Sequence, residues 1–88
     1  QNTTKMQWVN FESQRFYTAV LHQDLLKDWV VTLRWGSLTT RRSLRKTKFC
    51  HDEKTGLKLL KQLHRLRSRH GYQIKESKRA KKQENRNF

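Results

Sequence analysis

RFYTAVLHQDLLKDWVVTLRWG, residues 15–36, is the stretch on which the fold turns. From Arg15 to Gln23 a two-residue period puts Phe16, Thr18, Val20 and His22 on one face of a strand, and Tyr17, Ala19 and Leu21 on the other. Both faces are largely apolar and rich in β formers, which suits a central strand. The polar run DLLKD, residues 24–28, makes a short connection, after which Trp29, Val31, Leu33 and Trp35 alternate with Val30, Thr32 and Arg34. Two such runs joined by a short link form an antiparallel hairpin. Gly36 and Ser37 break the second run.

Working outward, a third strand is expected from about Thr40 to Cys50, with Leu44 its only strong apolar residue before Phe49. Such polarity marks a half-exposed or edge strand. Asp52 can cap a helix in which Leu57, Leu60 and Leu63, joined by Leu59 and Leu66, recur at spacings of three and four. Gly71 is placed to end that helix in a left-handed cap, with Arg65, Arg67 and Arg69 near the negative end of its dipole. Gly56 inside the first turns costs about 1 kcal/mol relative to Ala, a cost that close packing on the sheet would explain. The fold class is therefore α+β: a small twisted antiparallel sheet of about four or five strands with one amphipathic helix packed on it. Residues 1–7 lack an apolar pattern and are expected to be disordered, with Trp8–Phe11 starting a short strand. Residues 8–75 form the domain and 76–88 a basic tail.

Eighty-eight residues allow one domain. Mean hydropathy is −1.11, so the core must be thin, yet three Trp, two Tyr and four Phe supply large burial per residue. Twenty-one Lys and Arg face seven Asp and Glu, a net charge of +14, which self-repels unless an anionic partner compensates it. The single Cys50 cannot form an internal disulfide. No apolar run reaches the roughly 20 residues of a membrane span, and no signal peptide is visible, so the chain reads as intracellular with no membrane partner.

The positive charge is concentrated. Arg34, Arg41, Arg42, Arg45, Lys46 and Lys48 occur with no acid between Asp28 and Asp52. Strand alternation puts Arg41 and Arg45 on one face and Arg42, Lys46 and Lys48 on the other, a row that phosphates along a nucleic-acid backbone could meet. The structural reading of the same row is a solvated edge strand guarded by charge. The arginines favour contact, since their planar fork matches phosphate. Trp35 likewise has two readings. Its spacing with Trp29, Val31 and Leu33 suits a core residue, whereas Gly36 beside it would let another backbone approach while the indole stacks on a sugar or base.

Other chemistry finds little support. Cys50, His51, His64 and His70 lack the paired spacing of a zinc site, and both helix histidines are expected on the solvated side. Asp52 and Glu53 fit helix capping, and neither a Gly-rich phosphate loop nor a Ser-His-Asp arrangement is present. The sequence is read as non-enzymatic, with no cofactor and no small-molecule substrate.

The order RFYTAVLHQDLLKDWVVTLRWG, then a basic strand ending in Phe49, then a helix closing on RHGY, resembles the WGR domain found in poly(ADP-ribose) polymerases and stand-alone bacterial proteins. The likeness covers about Arg15 to Ile74 and rests on RFY, Trp29, Trp35-Gly36, Phe49 and Gly71-Tyr72. It implies a small antiparallel sheet crossed by one helix. It also implies that Trp35 stacks on a nucleic-acid sugar at a strand end, with Arg69 the basic residue near the helix end. Two departures stand out: Ser37 replaces the signature arginine, and Leu38, Thr39 and Thr40 replace the glycine-bearing turn. In the polymerases that arginine couples DNA binding to neighbouring domains, so the coupling is not implied here.

The expected function is DNA binding, mainly through phosphate and sugar, with a preference for ends, nicks or single strands. The expected contacts are Arg34, Trp35, Gly36, Arg41, Arg42, Arg45, Lys46, Lys48 and Arg69. Phosphate contacts position a polymer without reading its sequence. Charge and size fit two alternatives: an RNA-binding or ribosome-associated protein, and a basic module docking an acidic protein.

Overall fold

Five strands and one helix follow one another as β1 (Asn2–Asn10), β2 (Arg15–Gln23), β3 (Trp29–Ser37), β4 (Ser43–Cys50), α1 (Glu53–Arg69) and β5 (Gln73–Lys81) in the computed structural model, which describes residues 2–81. The strands form one antiparallel sheet in the order β4-β3-β2-β1-β5. The strand with two apolar faces, β2, lies at the centre, and the polar β4 lies at an edge.

Both ends of the chain extend the sheet beyond the expected domain. Residues 1–7, expected to be disordered, instead contribute β1 from Asn2 onward, paired with β2 on one side and β5 on the other. Threonines 3 and 4 are β formers, and Met6 packs against the core, so this polar stretch needs only two flanking strands to satisfy its backbone. Residues 76–81, expected to open a basic tail, belong to β5. A lysine-bearing strand is suited to a solvated edge. Residues 82–88, the rest of the expected tail, lie outside the described residues. The third strand starts at Ser43 rather than Thr40, because Leu38–Thr40 form the turn and Arg41 and Arg42 lead from it into the strand.

Helix α1 covers one face of the sheet. Trp8, Ala19, Leu21, Val31, Leu33 and Leu60 form the buried cluster, with Leu57, Leu59 and Leu63 packed against it. Gly56 is buried, and glycine is required there because a Cβ would stand 2.3 Å from Leu21 Cδ1. The close approach expected of this glycine is thus to a side chain of the central strand. His64 is not on the solvated side: it is half-buried, and its Nδ1 accepts a 3.0 Å hydrogen bond from the indole N–H of the fully buried Trp8. An indole has one donor and no acceptor, so a histidine facing it supplies the missing partner. His70 is exposed, and its carbonyl accepts from Asn10 Nδ2 at 3.2 Å, tying the β1–β2 turn to the helix end.

The helix ends follow the expected capping. Asp52 accepts from the backbone N–H of Thr55 at 2.8 Å and from its hydroxyl at 2.7 Å. At the other end Tyr72 N–H donates to the Arg67 carbonyl and Gly71 N–H to that of Ser68, with Gly71 at φ 84°. This is a Schellman arrangement, in which glycine tolerates the left-handed conformation. The Thr55 bonds, backbone first, hold the Asp52 carboxyl below its ordinary value of 3.8. A folded-state pKa below the unfolded one gives stability that is complete above the unfolded value and lost as pH falls through the folded one. Asp52→Asn keeps a capping oxygen without titrating. Its urea midpoint is therefore expected to fall below that of the wild type at neutral pH, with the gap closing below about pH 4.

Candidate nucleic-acid interface

The Trp35-Gly36-Ser37 segment is shaped by the β3–β4 turn. Ser37 Oγ accepts from Thr39 N–H at 3.1 Å and Thr40 N–H at 3.2 Å, and Ser37 N–H donates to the Arg42 carbonyl at 3.1 Å. Serine closes a turn this way because its hydroxyl substitutes for a backbone acceptor. Leu38 N–H donates to the Gln14 carbonyl at 2.8 Å, docking this turn on the β1–β2 turn. A Cβ on Gly36 would lie 2.1 Å from the Arg42 carbonyl oxygen and 2.9 Å from Ser43 Cα. The backbone that this glycine admits is thus the chain's own.

Trp35 lies across from Tyr17 on the helix side of the sheet, half-buried, its ring stacked on the tyrosine at 5.9 Å between centroids and 17° between planes. The Arg67 guanidinium sits 4.5 Å from the Tyr17 ring centroid and 5.2 Å from that of Tyr72, and its buried Nε has no hydrogen-bond partner. Burial raises the Tyr17 pKa, opposed by the Arg67 charge and reinforced by Tyr72, so the phenol stays neutral. A cleft of about 520 Å³ opens beside Trp35, lined also by Arg15, Gly36, Ser37, Thr40, Arg42, Ser43 and Leu44. The core reading of Trp35 holds in part: the indole packs on the core cluster, half-buried, and its remaining surface lines the cleft.

The expected contacts divide into separate places. Trp35, Gly36 and Arg42 meet at the cleft. Arg41 follows the turn, exposed, at φ 65°, so neither it nor Arg42 continues the strand alternation expected of them. Lys46 and Lys48 lie on the helix side of β4, across from Leu33 and Val31, and are exposed. Arg34 and Arg45 face each other on the opposite side of the sheet. Arg69 is exposed in the last helical turn, while Arg67, two residues earlier, is the helix-end arginine that reaches the aromatic stack. Arg15, Arg67, Tyr17 and Tyr72 join the site only through the fold. One signal in sequence pointed to Tyr17: counting back through the hairpin from Trp35 gives their pairing.

A larger groove of about 840 Å³ lies between α1 and strands β1 and β5, over Met6, Leu57 and Leu60, and holds none of the expected contacts. Lys54, Lys58, Lys61 and Arg65 of α1 also line it, so it too carries positive charge around an apolar floor, but it lacks the indole and turn residues that meet at the Trp35 cleft. Burial raises the Cys50 thiol pKa against the opposing pull of Lys48, leaving it a protonated thiol at neutral pH. Among the described residues, no three His, Cys, Asp or Glu side chains gather in a way that could hold a metal ion. No helix among them is long and apolar enough to cross a membrane. Compared with known protein families, curated proteins and solved structures, the chain finds no match.

Proposed function

We propose that this chain is a non-enzymatic, intracellular DNA-binding domain of the WGR type that holds the phosphate-sugar backbone and favours ends, nicks or single strands. The observation that carries the reading is Trp35, braced from one side by Tyr17, at a cleft that also presents Arg15 and Arg42. A rigid, partly open indole between cations suits a sugar followed by its phosphate. Lys46 and Lys48 extend the positive surface along the neighbouring edge, with Arg41 beside the turn and Arg69 at the helix end. Ser37 cannot supply the contacts of the signature arginine. Its hydroxyl is committed to the turn, so binding here is read as uncoupled from any catalytic domain.

The experiment is a fluorescence-anisotropy titration with blunt duplex, nicked duplex, single-stranded DNA and matched RNA at several salt concentrations. Trp35→Ala is expected to weaken the preferred DNA form by about 1–3 kcal/mol, and Trp35→Phe to recover part of the loss. Equal affinity for every polymer with one salt slope would reduce the interaction to bulk charge. Preference for the RNA would move the function to the ribosome-associated alternative. Failure of all four to bind would leave the acidic-protein partner.

A further inference from the structure

Helix α1 covers one side of the sheet; no described element covers the other. On that bare side, Arg45 of β4 stands directly across from Arg34 of β3, which stands across from Thr18 of β2 and then Gln7 of β1. The adjacent row reads Thr47, Thr32, Val20, Lys5 and Lys78. Two like-charged pairs, Arg34 with Arg45 and Lys5 with Lys78, are therefore immediate cross-strand neighbours, an arrangement that is destabilising by itself. The only acid at a strand position of this face among the described residues is Glu76, already paired with Lys78 at 3.5 Å. No acid lies opposite either arginine.

Aromatic surface flanks this charge. Phe49, across from Val30 at the end of β4, is 75% exposed, whereas Val30 is buried. Phe16 is half-buried, with the Arg34 guanidinium 5.7 Å from its ring centroid, and Arg34 Nε donates to Ser43 Oγ at 3.2 Å. That bond and ring hold Arg34 close to the sheet. The register partners of Phe49 and Phe16 on β3 are Val30 and Gly36, roughly 20 Å apart along the strand. The paired arginines lie between them.

We infer that this helix-free face binds single-stranded nucleic acid, with unpaired bases against Phe49 and Phe16 and phosphates on the Arg34–Arg45 and Lys5–Lys78 pairs. The inference rests on the reading that the chain binds nucleic acid, and adds to it a second surface on the side of the sheet away from Trp35. An open sheet face bearing aromatics offers stacking platforms that an unpaired base can use and a base inside a duplex cannot. An acidic peptide would answer the charges but leave the exposed aromatic at Phe49 without a role. A strand whose end rests at Trp35 could pass over the β4 edge, where Lys46 and Lys48 stand, to reach this face.

The test uses the full chain, a short oligothymidylate and a blunt duplex of similar length, followed by amide chemical shifts and anisotropy. The oligothymidylate is expected to shift the amides of Thr18, Thr32, Arg34, Arg45 and Thr47. Phe49→Ala is expected to weaken it about tenfold while leaving duplex affinity unchanged. Shifts confined to Trp35–Ser37, Arg42 and Tyr72, with Phe49→Ala harmless, would overturn this inference and keep the proposed function. Binding of neither polymer would overturn both. Shifts on this face from an oligoglutamate peptide but not from the oligothymidylate would replace the inferred ligand with an acidic protein. Phe49 is exposed on an edge strand, so the variant should fold, and its amide spectrum without ligand verifies that.

Discussion

Trp8→Ala is expected to lower folding stability by about 3–5 kcal/mol, the largest loss from any single side chain in this molecule. Trp8 is fully buried, with its ring edge-on to Tyr17 at 6.0 Å and stacked on His64 at 6.3 Å. It also donates to His64 at 3.0 Å, so one side chain joins β1, the central strand and the helix. Truncation opens a cavity in a core of few large residues and strips the partner from the half-buried imidazole. Native domains have total stabilities of about 5–15 kcal/mol, so such a loss removes a large part of the margin and moves the urea midpoint well below that of the wild type. His64→Leu removes the acceptor but keeps the volume, and a loss of about 1–3 kcal/mol would isolate the hydrogen bond. A Trp8→Ala loss below about 1 kcal/mol would mean that β2, β3 and α1 form a core without β1.

The dependence of the core on Trp8 shows which parts of the fold can be read from sequence. The β2–β3 hairpin is legible because its partners are near in sequence and both runs are rich in β formers, with Trp29, Val31, Leu33 and Trp35 keeping a two-residue period. The helix is legible from Leu57, Leu60 and Leu63 and from caps supplied by Asp52 and Gly71. By contrast, β1 and β5 come from opposite ends of the chain, and each is polar enough to pass for solvated coil. Their pairing also shifts register between Gln7 and Trp8: Trp8 is opposite Ile74 but Gln7 is opposite Glu76, leaving Lys75 as an extra residue. That bulge breaks the two-residue period which would have marked β5 as a strand. The candidate site divides in the same way. Trp35-Gly36 is visible as a dipeptide, whereas Arg67 reaches Tyr17 from a helix 50 residues further on, and no local pattern distinguishes it from Arg65 or Arg69.

Gly36→Ala separates the glycine's role in the fold from a role at the ligand. The added Cβ would stand 2.1 Å from the Arg42 carbonyl oxygen and 2.9 Å from Ser43 Cα, and both obstructing atoms are backbone. A side chain could rotate away; a paired edge strand can make room only by leaving its register. That carbonyl also accepts from Ser37 N–H, so moving it opens the turn whose other bonds converge on the Ser37 hydroxyl. The expected loss is about 3 kcal/mol, or on the order of 15 °C in Tm, measured without any nucleic acid. The disturbance should be local at first, with the amides of Ser37, Thr39, Thr40 and Ser43 losing protection before those of the buried hairpin. If stability is instead unchanged while DNA affinity falls, Gly36 serves the approach of a ligand and the turn is more pliable than its geometry indicates. With the expected result, Gly36 and Trp35 have different tasks: Gly36 lets β4 close against β3, and that closure forms the wall of the cleft in which Trp35 is presented.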